Sequence, residues 1–330
     1  MAPAMNQQTT SPLYNKPASI EFYENRYARG YMEEWPSEKK QRIAELIRSL
    51  GLPATGDALD FGCGNGVLTD ILRASLPKGW GTYGSDLSAN AIQNARKWYP
   101  GCRFFFDGDS ELESKKFDLL FTHHVLEHVY DLPKTLSAMN ACLKPHAAML
   151  HILPCGNPGS FEHSICLLRP DGINFQMEGR FFFEDEGHVR RLNTEQIESH
   201  LKPFGFSLVK ENYANQYCGA IDWITRSGPG FVWRFTDPSA ANDDAARKKL
   251  RRLRRILMLL WAMRGVAPLI ESRLRRKHRA FRDWILILGG IPFYLLAKPT
   301  DLYLNRRADK EWQNRRTERN GSEMYLLFKT

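Results

Sequence analysis

The sequence predicts an α/β fold, a mostly parallel sheet covered by helices on both faces, with a basic helical segment inserted before the last strand. Three observations predict it. Short apolar runs alternate with stretches of helical spacing from residue 37 to residue 213, a triple-glycine loop joins the first strand to the next helix, and a final apolar stretch stands about 110 residues beyond the previous strand candidate.

The elements follow in order. Ile43, Leu46, Ile47 and Leu50 fall on one face of a helix from Ser37 to Leu50, stopped by Gly51 and Pro53. Ala58 to Phe61 is a short apolar strand ended by glycines, and Val67 to Leu76 resumes helical spacing until Pro77. The alternation repeats with Gly81 to Ser85 and Ala89 to Trp98, a third strand ending before Asp107, then Phe117 to Thr122 and Leu132 to Leu143. Ala148 to Leu153 precedes a helix from Thr194 to Phe204; Phe206 to Tyr213 is the sixth strand and Glu323 to Lys329 the seventh. Repeated strand–helix units imply parallel strands joined by crossovers.

Composition narrows the class. With 43% hydrophobic and 25% charged residues in 330, the chain reads as globular, and only Met1 to Pro12 has the character of a disordered end. Six scattered cysteines without a CxxC pair, and no basic-then-apolar leader pattern, point to a reducing cytoplasm. The net charge of +9 is concentrated: residues 226 to 320 hold 23 Lys/Arg against 9 Asp/Glu, and the rest of the chain is acidic. Such asymmetry points to an anionic partner surface.

The glycine loop carries the first chemical signal. Asp60-Phe61-Gly62-Cys63-Gly64-Asn65-Gly66 puts glycines at alternate positions between a strand and a helix, where a ligand can approach the backbone unhindered by Cβ atoms. A dinucleotide fingerprint needs a third glycine where Val67 stands, which weakens the nicotinamide reading. The loop, with Gly84-Ser85-Asp86-Leu87-Ser88, Asp107-Gly108-Asp109-Ser110 and Phe117-Asp118 in order after it, resembles the class I S-adenosylmethionine (SAM)-dependent methyltransferases. That resemblance implies a Rossmann-like seven-stranded sheet and a SAM site. In it Asp86 beside Leu87 would accept from the ribose hydroxyls, Asp109 beside Ser110 from the adenine amino group, and Asp60 would lie by the methionine ammonium, against Gly62, Gly64 and Gly66. It further implies that the aromatic stretch from Phe22 to Tyr31 folds over the cofactor, with Tyr27 and Tyr31 facing the sulfonium.

Beyond the fourth strand lies His123-His124-Val125-Leu126-Glu127-His128. If a helix begins at Val125, His124, Glu127 and His128 share a face. Three readings stay open. A histidine acts as general base towards the acceptor; or His124, Glu127, His128 and His188 hold a divalent metal, as the similar turn Glu-x-x-Glu-His does in the small-RNA terminal 2′-O-methyltransferases and ubiquinone-pathway O-methyltransferases; or Glu127 and His128 serve only packing and helix initiation.

The basic segment contains an amphipathic helix, Ala246 to Met263, and a second around Ile270, Leu274, Phe281, Ile285 and Leu288 that carries Arg273, Arg275, Arg276, Lys277, Arg279 and Arg282. From Trp284 to Ala297 no charge occurs, but Gly289, Gly290 and Pro292 interrupt the run, and its length falls short of the ~18 residues or more of a spanning helix. An interfacial segment on an anionic membrane fits this pattern, with a helical cap, an assembly surface and nucleic acid as the other readings. The sequence thus divides into an N-terminal segment serving as cofactor lid (1–36), a SAM-binding core (37–225), the basic insertion (226–320) and the terminal strand (321–330). The function expected is methylation of a small or lipid-like acceptor at oxygen by an enzyme in the cytoplasm, peripheral at the membrane. RNA methylation and a non-catalytic SAM-binding regulator are the alternatives.

Overall fold

A computed structural model of the chain describes residues 16–31, 35–274 and 281–330. The expectations for Met1 to Pro12 and for Arg275, Arg276, Lys277 and Arg279 lie outside the described residues. Along the chain, α1 (Lys16–Tyr27) and α2 (Ser37–Arg48) precede β1 (Thr55–Phe61), α3 (Val67–Ser75), β2 (Gly79–Asp86), α4 (Ala89–Trp98), β3 (Arg103–Phe106), the single turn α5 (Ser110–Glu113), β4 (Phe117–His123), α6 (Leu132–Ala141) and β5 (Leu143–Pro154). Next come α7 (Phe161–Cys166), the short ribbon of β6 (Ile173–Asn174) and β7 (Arg180–Phe181), α8 (Thr194–Leu201), β8 (Ser207–Ala214), α9 (Cys218–Arg226), α10 (Pro229–Phe235), α11 (Asp244–Leu274), α12 (Phe281–Arg315) and β9 (Glu323–Lys329).

Seven strands form one sheet in the order β3-β2-β1-β4-β5-β9-β8. All run parallel except β9, which lies antiparallel between β5 and β8. This is the seven-stranded architecture that the sequence predicts, including its helical insertion before the last strand. Alternate residues of the central strands feed two separate cores. Leu119, Phe121, Leu150, Ile152, Tyr325 and Leu327 meet Ile43, Ile47 and Leu72 of α2 and α3. Leu120, Met149, Met324, Leu326 and Phe328 meet Leu132, Leu136, Ile197 and Leu201 of α6 and α8. Because both faces are covered, the central strands are apolar at successive positions rather than at every second one.

Local chemistry starts the helices. Ser88 caps α4 by accepting the Ala91 N–H at 3.2 Å, and Asn193 and Gln196 form a reciprocal capping box on α8. Several boundaries differ from expectation. The helix predicted to reach Leu143 ends at Ala141, and β5 begins at Leu143 through an irregular pairing with β4, since Pro145 cannot continue a helix. Ile270 and Leu274 close α11, whereas Phe281, Ile285 and Leu288 open α12, so the second basic segment is not one helix around all five. Gly289, Gly290, Pro292 and Pro299 do not break α12, which runs for 35 residues. Packing against α11 and α9 outweighs the local preference of those residues.

Helices α9, α10 and α11 rest on a third core. Phe161, Phe181, Phe183, Ile224, Phe235 and Leu250 are buried together there, joining the loop after β5 to α9, α10 and α11. The insertion is thereby tied to the end of the sheet that carries the site.

Phe121 has no exposed surface at the centre of the sheet. Phe121→Ala is therefore expected to lower unfolding free energy by ~3–5 kcal/mol, read from denaturant titration; a change below ~1 kcal/mol would contradict the packing described.

Candidate active site

The cavity at the carboxyl ends of β1, β2 and β4 has a volume of about 360 Å³. Its floor is the glycine loop after β1. Gly62 and Cys63 donate N–H bonds to the Ser85 carbonyl at 2.8 and 2.9 Å, and the Asp86 carboxylate accepts the Gly64 N–H and the Ser88 N–H, each at 2.9 Å. One buried carboxylate thus clamps the loop to the end of β2. Gly62 and Gly64 have positive φ, and a Cβ on Gly64 would stand 2.7 Å from the Tyr27 hydroxyl. This is a cradle that a side chain would fill.

The roof is α1 and the residues after it. Tyr23, Tyr27 and Tyr31 line the cavity, as does Trp35. The segment is latched at three points. Arg26 forms a two-pronged pair with Asp185 at 2.9 and 2.5 Å, Glu24 accepts from the backbone and side chain at the start of α4, and Asn65 donates to the Tyr31 carbonyl at 2.8 Å. Sequence reasoning chose Tyr27 and Tyr31; the structure adds Tyr23, whose hydroxyl is buried with no hydrogen-bond partner among the described residues. Its spacing of four from Tyr27 was the available signal.

The stretch after β4 forms a turn rather than the expected helix. His124 takes a left-handed conformation with φ of 53°, and the His128 N–H bonds back to the Val125 carbonyl at 2.9 Å; α6 begins only after Asp131, which caps it. The bond from His128 N–H to Val125 closes a single turn that does not continue as a helix, so turn geometry aims these side chains. His124 bridges two buried carboxylates, with Nδ1 2.9 Å from Glu127 Oε1 and Nε2 2.8 Å from Glu323 Oε1. Lys39 from α2 pairs with Glu323 at 2.5 Å. His128 donates from Nδ1 to the Gly187 carbonyl at 3.0 Å, and its Nε2 lies 3.9 Å from Glu127 Oε1. His188 packs edge-on against His128, ring centres 4.5 Å apart.

The four residues expected to bind a metal therefore divide. Ligand atoms of Glu127, His128 and His188 lie within 4.8 Å of one another, while His124 falls with His123 and Glu323 in a second group. Both ring nitrogens of His124 face carboxylates, so this residue bridges Glu127 and Glu323. Of the adenine candidates, Asp109 accepts the Glu111 N–H at 3.0 Å and Ser110 is exposed, and neither lines the cavity, whereas the neighbouring Asp107 does. Asp60, Leu87 and Gly64 lie in the wall, whereas Gly66 stands behind it against Phe104 and Ala95. Sequence reasoning missed Trp35, Lys39, Asn65, Asp107 and Glu323.

A family model described as a methyltransferase domain matches residues 29–211, more than half of the chain. This protein belongs to the class I SAM-dependent methyltransferases. Among its relatives, the trans-aconitate 2-methyltransferase of Acidovorax ebreus is 28% identical over 37% of this chain and 47% of its own length. An uncharacterised methyltransferase of Schizosaccharomyces pombe is 28% identical over 30% of this chain and 42% of its own. This methyltransferase thus spans about half the length of the curated relatives it matches. Among solved structures, magnesium protoporphyrin IX methyltransferase of Synechocystis superposes with a TM-score of 0.43 at 17% identity, covering 62% of this chain and 95% of its own.

Burial sets the ionisation of the site. It raises Asp60 to about 7 despite the Thr69 hydroxyl bond, and Asp86 to about 6 despite its backbone donors. At the turn, burial and Lys39 would discharge His124, but Glu127 and Glu323 win and hold it above its ordinary value. Burial would also protonate Glu127, yet the charge and hydrogen bond of His124 bring it down to about 2. His128 is lowered to about 4 by burial and by His188, so it is neutral at neutral pH.

These aspartates fit the donor groups of SAM, which favour the ionised carboxylate. SAM affinity measured by calorimetry is accordingly expected to fall at least ~10-fold between pH 8 and pH 5, as Asp60 and Asp86 take up protons in the empty site. Asp86→Ala and Gly64→Arg are each expected to abolish binding in a folded protein. A flat pH profile, or near-normal affinity in both variants, would overturn these assignments.

Proposed function

We propose that this methyltransferase transfers a methyl group from SAM to the oxygen of a small or lipid-like acceptor, with His128 as general base. The observation that carries the reading is the fixed tautomer of His128. Its Nδ1 proton is committed to the Gly187 carbonyl, which leaves Nε2 with a free lone pair in a ring that lines the cavity. Bound SAM supplies an electrophilic methyl group; as the acceptor oxygen bonds to that carbon, the carbon–sulfur electron pair stays on sulfur. His128 Nε2 takes the acceptor proton, and ionised Glu127, 3.9 Å away, steadies the imidazolium. His124, held between Glu127 and Glu323, positions that carboxylate. Tyr23 offers its hydroxyl, unpaired among the described residues, to the acceptor from the roof. A base lowered to about 4 suits a readily ionised oxygen, such as a phenol or enol, better than an aliphatic alcohol.

A second reading draws on the grouping of Glu127, His128 and His188, whose donor set suits a divalent cation that would acidify the acceptor. RNA as acceptor has less support, since the arginines share their helices with exposed apolar residues. The non-catalytic alternative gives no role to the fixed tautomer of His128.

His128→Ala is expected to lower turnover at least ~10²-fold with SAM affinity unchanged, measured with labelled SAM on cell extracts resolved by mass. Activity that survives a chelator supports the base; activity lost to it and restored by a divalent ion supports the metal. Labelled RNA alone would overturn the small-acceptor reading, and full turnover in His128→Ala would remove the base.

A further inference from the structure

Helices α11 and α12 pack against each other, and several of their charged residues pair along the seam. Arg264, 4% exposed, reaches Asp301 at 2.8 Å and Asp222 at 2.5 Å. Glu271 accepts from Lys298 at 2.6 Å and from the Tyr294 hydroxyl at 3.2 Å, and Arg273 lies 3.7 Å from Asp283.

With these charges paired inward, the outward surface of α12 between Trp284 and Tyr303 is largely apolar. Phe281, Leu288, Phe293, Leu295, Leu296 and Tyr303 are each more than 60% exposed. A surface helix of a soluble domain turns its apolar stripe to the core and its polar face to water; α12 has an inward stripe of Ile287, Ala297 and Leu304 and an apolar outer face as well. It contains an 18-residue window of mean hydropathy 1.3, only 11% buried, long and apolar enough to cross a membrane.

The charge pattern favours lying in the interface over crossing. The uncharged run from Trp284 to Ala297 covers ~21 Å at ~1.5 Å per residue, short of a ~30 Å hydrocarbon core. Lengthening that run to the ~20 residues of a crossing would draw Arg282 and Asp283, or Lys298 and Asp301, into hydrocarbon. Arg306 and Arg307 follow the apolar stretch of α12, and Arg251, Arg252 and Arg255 stand on α11, all exposed. Basic groups bordering an open apolar face are complementary to anionic headgroups over acyl chains.

We propose that the α11–α12 pair is the docking surface of this protein for an anionic lipid bilayer, its apolar face entering the acyl boundary while the flanking arginines hold the headgroups. The proposal is independent of which acceptor is methylated.

The test is co-sedimentation of the full chain with phosphatidylcholine vesicles and with vesicles that also contain phosphatidylglycerol. The protein is expected to pellet with the anionic vesicles and at least ~10-fold less with the neutral ones or in ~0.5 M salt. Leu288→Ser with Leu295→Ser, and separately Arg306→Gln with Arg307→Gln, are each expected to weaken vesicle binding several-fold while SAM affinity is unchanged, which shows that the core stays folded. Protein left in the supernatant with both vesicles, or equal binding to both, overturns the proposal. A dimer that the leucine variant dissociates, with no vesicle binding, assigns the face to a second copy instead. Salt-sensitive RNA binding without vesicle binding also overturns it.

Discussion

The structure depends on the pairing of β9 between β5 and β8. Both edges of β9 are hydrogen-bonded, and Met324 to Phe328 are buried on both faces of the sheet. Without it β5 and β8 would each present an open edge, and both cores would lose a wall. Its reversed direction has two further effects. Glu323, its first residue, pairs with Pro154 at the carboxyl end of β5, beside the candidate site. It also pairs with Ala214, the last residue of β8, so the chain between them leaves and returns at nearly one point. An insertion with adjacent ends leaves the sheet undisturbed, however long it is.

At that same edge, burial and charge work against each other. Lys39, Glu323, His124, Glu127 and His128 form a chain in which each charged member faces an opposite one. Each carboxylate would be neutral if buried alone; each is kept ionised by the cation next to it. His128, at the end of the chain and beside His188, is the member that stays neutral. Asp60 and Asp86, by contrast, have no ion pair with a cation among the described residues, and burial raises both. The site therefore holds one half that is electrostatically complete and another that a cationic, donor-rich ligand completes.

The helical region follows a different logic. Its polar groups are satisfied between helices, as at Arg264 and Glu271, which frees the outer face of α12 from any need for polar partners. Pro292 and Pro299 persist inside α12 because neighbouring helices hold the segment in place. Surface composition here reflects what the region meets rather than what it needs in order to fold.

By itself the sequence determined the sheet, the glycine loop, the buried aspartates and the insertion, because each is written in short-range periodicity or in contiguous residues. Asp60, Gly64 and Asp86 are recognisable from the loops that carry them. Only the tertiary structure decided the partners of the histidines. Glu323 lies 199 positions from His124, and their contact depends on the direction of one strand. A turn stands where a helix from Val125 was expected, and it sets His124 between Glu127 and Glu323, apart from the grouping of Glu127, His128 and His188. The tautomer of His128 rests on a carbonyl from a distant loop, Gly187. Continuity of α12 through two prolines was likewise undecided locally, since helix breaking is a local preference and packing is a sum over neighbours that only the fold brings together.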